Sequence, residues 1–269
     1  MSNKKENKII LCNKDGWNVR TQMHYQSSSY AVDDFLRTQD SLKEFEYSLI
    51  GDIYDLNILH LQCGFGMDSL SLANKGAHIT GIDFSSEAIH YANLLKEKLG
   101  TKASFIETNV FETLKYVEKN SFDMVISIYG ITTWLDNLDL WADIIYHVLK
   151  PNGRFLLIDF HPILEIIFNN SISGMNSYFN KGTYSIMSST GTYADPSAKI
   201  NYTECRWQHP ISEIVQALIN SNFKISKFEE HPFNFQNFFL KENFVKNKNV
   251  NKNIPYIFSL IANKESLHK

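Results

Sequence analysis

The 269-residue sequence is short of cysteine, of charge of either sign and of long apolar runs. Its three cysteines, Cys12, Cys63 and Cys205, are odd in number and far apart, and no pair has metal-ligand spacing. That argues against a disulfide scaffold and against a zinc module, so no metal is expected and a reducing, cytoplasmic setting is. Lys and Arg total 26 against 29 Asp and Glu, a net charge of -3, which gives no electrostatic reason to expect a nucleic acid or an anionic membrane as partner. No apolar stretch reaches the roughly 20 residues of a membrane span. The first residues, MSNKKENKIILCNKDGW, hold an apolar run too brief for a signal peptide. What remains is a chain that is 43% hydrophobic, long enough for one large α/β domain or two small ones.

From about residue 39 the pattern is regular. QDSLKEFEYSLI reads as a short helix and NILHLQC as a strand. GMDSLSLANKG has helical spacing with Gly76 as a stop, and AHITGID is a strand ending in Asp83. SSEAIHYANLLKEKLG is a helix capped by Ser85 or Ser86 and ended by Gly100. ASFIET, SFDMVISIY and RFLLIDFHP are further strands, with NVFETLKYV as a helical turn and NLDLWADIIYHVLKPNG as a helix stopped by Pro151 and Gly153. Such alternation predicts a parallel sheet with helices on both faces and ligands at the carboxyl ends of the strands. Residues 1–38 have weak periodicity and read as an arm, expected to close over the active site; 39–161 form the binding core. Residues 162–206 lose the alternation and read as a substrate cap, since so long an insertion is uncommon without a role. Residues 207–269 return to the core sheet, with an Asn/Lys-rich solvated loop at 241–253.

Four stretches in this order, ILHLQCGFG, GIDFSSEAI, FDMVIS and VLKPNGRFLLIDF, resemble the class I S-adenosylmethionine-dependent methyltransferases over roughly 55–161, and by pattern over 207–264. The resemblance implies a Rossmann-like seven-stranded mixed sheet with helices on both faces and a cap insertion between strand 5 and the following helix. It implies S-adenosylmethionine as cofactor, held by Gln62, Cys63, Gly64, Gly66, Asp68, Asp83, Phe84, Asn109, Val110 and Ser127. The chemistry agrees: glycines let a ligand approach the backbone, and Asp83 can accept both hydrogen bonds of a ribose diol. The chain departs from the family's acid–x–Gly–x–Gly–x–Gly at two places: His60 replaces the acid and Gln62 the first glycine. We read this as a working variant, in which Gln62 supplies a polar contact and neutral His60 accepts a hydrogen bond. A dinucleotide site would need Gly or Ala at 69, where Ser stands.

Methyl transfer from a sulfonium asks mainly for alignment and exclusion of water, and for a base only when the nucleophile must lose a proton. His161 and Tyr129, at strand ends, are the catalytic candidates, with Tyr30, Trp134 and Tyr193 as walls for a planar or cationic acceptor. The expected activity is methylation of nitrogen or oxygen on a small molecule. Methylation of RNA or protein, and a non-catalytic cofactor-binding role, are the alternatives. The oligomeric state is open.

Overall fold

The computed structural model describes residues 2–168, 178–179, 184–232 and 254–265. Three helices come first: α1 (Ser2–Gln26), α2 (Val32–Thr38) and α3 (Glu44–Ile50). Then the expected alternation runs through β1 (Asn57–Leu61), α4 (Met67–Asn74), β2 (His78–Asp83), α5 (Ser86–Leu99), β3 (Ala103–Glu107), a 3-10 turn over Val110–Lys115, β4 (Phe122–Ile128), α6 (Leu138–Val148) and β5 (Leu149–Phe160). The insertion contributes α7 (Ile163–Phe168) and the strands β6 (Tyr184–Thr190) and β7 (Asn201–Trp207). The chain closes with α8 (Ile211–Asn220), β8 (Phe223–His231) and β9 (Ile257–Lys264). The stretch 241–253 read as a solvated loop lies outside the described residues.

The seven-stranded sheet has the order β3-β2-β1-β4-β5-β9-β8, with β1 to β5 parallel and β9 antiparallel to both its neighbours. β6 and β7 pair separately as an antiparallel ribbon. Local chemistry fixes the breaks. Ser85 caps α5 by accepting from the Ala88 N–H, and Gly100 ends the helix at φ 66°. α6 stops at Val148, before Pro151, because Leu149 is already paired with Phe122 in the sheet. Both faces of the sheet are dry: Leu59, Leu61, Val125 and Leu157 pack toward α6 and α8, and Ile58, Met124, Ile126 and Leu156 pack toward α3 and α4. Strand order reverses between β1 and β4, so the turns after β1, β2, β3 and β4 open onto one crevice.

The arm differs from its reading. Residues 2–26 are one long helix, packed against β7 and α5. Among the described positions its buried side chains, Asn13, Arg20, Thr21 and His24, recur at helical spacing but are polar, so no hydrophobic period betrays them.

Candidate active site

The turn after β1 carries three residues in the left-handed region: Gln62 (φ 56°), Gly64 (φ 56°) and Gly66 (φ 81°). For Gln62 that conformation costs about 1–2 kcal/mol. The two glycines answer different needs. A Cβ at Gly66 would meet the Phe105 ring at 2.8 Å, so Gly66 lets α4 sit close to β3. A Cβ at Gly64 would meet nothing within 4 Å, so bare backbone faces open space there. Asp83, at the end of β2, spans this turn and the next: one oxygen accepts from the Gly64 N–H (2.9 Å) and the other from the Ser85 N–H (2.9 Å). Burial pushes its carboxyl up to about 6 against these hydrogen bonds. Each oxygen keeps acceptor capacity for a further donor.

His60 is buried, its Nδ1 lies 2.8 Å from Ser69 Oγ, and burial lowers it to about 3, so the ring is neutral. Gln62 donates from Nε2 to the Ile131 carbonyl (3.3 Å), while its Oε1 is buried with no hydrogen-bond partner among the described residues. Asn109 caps the 3-10 turn by accepting from the Phe111 N–H (3.0 Å). Burial lifts Asp68 to about 6; Ser41 donates to it. Gln62, Cys63, Gly64, Gly66, Asp68, Asp83, Phe84, Asn109 and Val110 all line one cavity of about 1130 Å³. Ser127 does not: it is fully buried within β4, and its hydroxyl lies off the cavity wall.

The far wall is built by α1 and the β6–β7 ribbon. Tyr30, Trp134 and Tyr193 line it, and the Tyr30 and Tyr193 hydroxyls are 2.6 Å apart. α1 is tied down along its middle. Asn13 both donates to and accepts from the Cys205 backbone (2.9 and 2.7 Å), and Asn18 Oδ1 receives the Ser85 hydroxyl (2.7 Å). Arg20 forms a buried ion pair with Glu204 of β7 (2.8 Å). Sequence reading passed over Arg20, His24 and Glu204, although the first two stand i, i+4 within WNVRTQMHYQSSSY. That spacing, which puts both on one helix face, was the signal available.

The two catalytic candidates are otherwise engaged. His161 Nδ1 accepts from the Ile163 N–H (3.1 Å) and Nε2 faces Glu230 Oε1 (2.8 Å), so both ring nitrogens have protein partners. Tyr129 donates its hydroxyl to the buried Glu46, and burial and that carboxylate push its acidity well beyond use as a base. Neither is poised to take a proton. Asp159 is likewise a scaffold: its carboxylate receives the N–H groups of Gly130 (2.6 Å), Thr132 (2.9 Å) and Phe160 (2.8 Å) and the Thr132 hydroxyl (2.8 Å), which shapes the turn after β4. Among the described residues no group of three or more His, Cys, Asp or Glu is arranged to hold a metal ion.

A crevice at the sheet's switch point, with a glycine turn on one side and an acid ending the next strand, is the ligand-binding place of a Rossmann-like sheet, here one that ends in the antiparallel strand β9. The methyltransferase-domain family matches residues 54–192, and the chain belongs to it. Demethylmenaquinone methyltransferase of Leptospira interrogans is 32% identical over 121 residues, 44% of this chain and 47% of the relative. The O-antigen chain terminator bifunctional methyltransferase/kinase WbdD of Escherichia coli is 40% identical over 74 residues, 27% of this chain and 10% of that protein. The chain thus spans between a tenth and about half of the length of these curated relatives. An S-adenosylmethionine-dependent methyltransferase from Mesorhizobium loti superposes with a TM-score of 0.55 at 15% identity, covering 80% of this chain and 94% of that one. Geranyl diphosphate C-methyltransferase of Streptomyces coelicolor gives 0.58 at 13%, covering 82% and 77%. At these identities the structures establish the fold. S-adenosylmethionine is the cofactor that goes with this family, and the residues present fit it: open backbone at Gly64, a two-oxygen acceptor at Asp83 and an unpaired acceptor at Gln62.

Proposed function

We propose that the protein transfers a methyl group from S-adenosylmethionine to a nitrogen or oxygen of a small-molecule acceptor, in the cytoplasm. The observation that carries this reading is the continuity of the cavity. At about 1130 Å³ it exceeds the ~300–1000 Å³ usual for one ligand, and it runs from the glycine turn to the aromatic wall without leaving the chain. It has room for a cofactor and a compact acceptor, whereas a polymer substrate would need a broad open face. The Leptospira relative is named for a quinone precursor, which favours the same substrate scale.

When bound, the cofactor supplies a methyl carbon already activated by its sulfonium. The chain's own task is then positional. Asp83 holds the ribose hydroxyls, Gly64 admits the backbone approach, and the free N–H groups at the start of α4 receive the carboxylate. Gln62 Oε1 offers an acceptor to the ammonium. α1 and the ribbon keep water out, which matters more here than proton transfer. With His161 and Tyr129 engaged by Glu230 and Glu46, acceptors that are already deprotonated or lone-pair nucleophiles suit the site best.

Incubation with S-adenosylmethionine carrying a labelled methyl group tests the reading. Cell extract is offered in two portions, its ultrafiltered small-molecule fraction and its macromolecules. Label is expected in the small-molecule fraction only. Label confined to RNA or protein refutes it.

A further inference from the structure

The aromatic wall looks suited to a cation, and a cation already occupies it. The Arg20 guanidinium lies 4.1 Å from the Trp17 ring, 4.4 Å from Tyr202 and 5.3 Å from Trp134. It belongs to the protein, is 1% exposed, and is fixed by Glu204 and by Nε donation to the Gly16 carbonyl (3.1 Å). A cationic acceptor would meet that charge instead of the ring faces.

At this end of the cavity, among the described residues, unpartnered nitrogens outnumber the one unpartnered carboxylate oxygen, Glu204 Oε1, which makes only an ion-pair contact. Glu204 serves two guanidiniums at once, Arg20 at 2.8 Å and Arg206 at 2.7 Å. A second carboxylate, Glu165, lies 3.4 Å from Arg206. After these pairings Arg20 Nη2, Arg206 Nε and His24 Nε2 have no hydrogen-bond partner among the described residues. His24 is 1% exposed and neutral, lowered to about 3 by burial and then by Arg20. Its Nδ1 lies 3.4 Å from the Tyr193 hydroxyl, and in the tautomer that accepts there Nε2 carries the proton and is a donor. The Arg20 charge also pulls against the burial that raises the Tyr30 and Tyr193 phenols, so its field reaches the hydroxyl pair. Buried donors left without acceptors are costly, and a chain that keeps several together is complementary to a missing negative group.

The path from the glycine turn to these donors is aromatic. Phe65 of the glycine turn is 4.8 Å from Tyr30, Tyr30 stacks on His24 at 5.2 Å, and His24 meets Trp17 at 6.0 Å. We propose that the acceptor is a planar molecule bearing an oxyanion, carboxylate or phosphate, which Arg20 and His24 bind while the ring lies along this wall and presents its nucleophile toward the glycine turn. Arg20 is then a specificity-determining residue. The claim rests on the small-molecule methyltransferase reading, and cofactor binding tests that reading separately.

The test is calorimetry on the full chain saturated with S-adenosylhomocysteine, with benzoate, phenyl phosphate, benzamide and benzyltrimethylammonium as probes. Benzoate or phenyl phosphate is expected to bind roughly tenfold or more tightly than benzamide, with the ammonium weakest. The better of the two anions identifies the headgroup. In Arg20→Gln the anion preference is expected to vanish while S-adenosylhomocysteine affinity holds. Preference for the neutral or cationic probe in the wild type overturns the proposal, as does the absence of binding by any probe. If Arg20→Gln does not fold, the wild-type ranking decides. Arg20 would instead hold the cofactor's own carboxylate if Arg20→Gln weakened S-adenosylhomocysteine but spared methylthioadenosine, which has no carboxylate; that outcome refutes the proposal and leaves the methyltransferase reading standing.

Discussion

Replacing Asp83 by asparagine tests the cofactor site with the smallest change of shape. The carboxylate accepts from Gly64 and Ser85 with its two oxygens, and both remain open to a diol. An amide has one oxygen, and its NH2 must face one of those backbone N–H groups and one ribose hydroxyl. Each hydrogen bond lost to a charged acceptor is worth about 1.5–3 kcal/mol, or roughly ten- to hundredfold in Kd. The acid–base behaviour of Asp83 gives a second signature. Burial places it at about 6 in the free protein, above the ordinary 3.8, so the free protein takes up a proton as pH falls through 6. A diol is held by the ionised form, so wild-type affinity for S-adenosylhomocysteine drops below pH 6 by up to about tenfold per unit. Asp68, also lifted to about 6, lines the same cavity, so the informative quantity is the slope that disappears in Asp83→Asn. Calorimetry between about pH 8 and about pH 5 measures both effects. A variant that binds within about twofold of wild type at the upper pH, or a slope unchanged by the substitution, refutes the assignment.

Gly64 and Gly66 separate binding from stability. Gly66→Ala drives a methyl into the Phe105 ring at 2.8 Å from a left-handed backbone and is expected to cost about 2–5 kcal/mol in chemical unfolding. Gly64→Ala meets open space, should cost only the backbone term of about 1 kcal/mol, and should instead weaken S-adenosylhomocysteine in calorimetry. His60 sits at about 3 when folded against 6.5 unfolded, so its stability contribution is complete above 6.5 and is lost as pH falls. Between pH 6.5 and about pH 5 the wild type should therefore lose about 2 kcal/mol that a His60→Asn variant keeps, read from urea midpoints. Asp159→Asn puts an amide NH2 against the N–H groups of Gly130, Thr132 and Phe160 and should destabilise the fold by about 3 kcal/mol or more in the same assay.

The core was legible because its physics is local. Strands such as ILHL and MVISI are buried on both faces, so they read as apolar runs broken by one polar residue each, and the caps at Ser85 and Gly100 announce α5 without tertiary context. The placement of the candidate cofactor residues on the cavity wall followed because turn order and strand ends are fixed by topology. Side-chain direction was not legible. Ser127 sits near the end of β4, yet it is fully buried and does not line the cavity. His161 is at the expected edge, yet Glu230, on β8, lies 69 residues further on and takes its ring, a pairing no local pattern records.

α1 shows why the missed residues and the functional ones coincide. A helix that buries leucines declares its face by period; α1 buries Asn13, Arg20, Thr21 and His24, and each needs a partner elsewhere in the chain or in a ligand. Asn13 finds the Cys205 backbone and Arg20 finds Glu204, so the helix is oriented by polar contacts to β7. His24 Nε2 and Arg20 Nη2 find nothing in the described chain. A face used only for docking would gain by exchanging such groups for apolar ones, since removing both partners of a buried polar contact costs little while leaving one unpaired costs much. Docking alone does not account for the unpaired donors kept on the wall of the large cavity, and they are the feature from which an anionic acceptor is proposed.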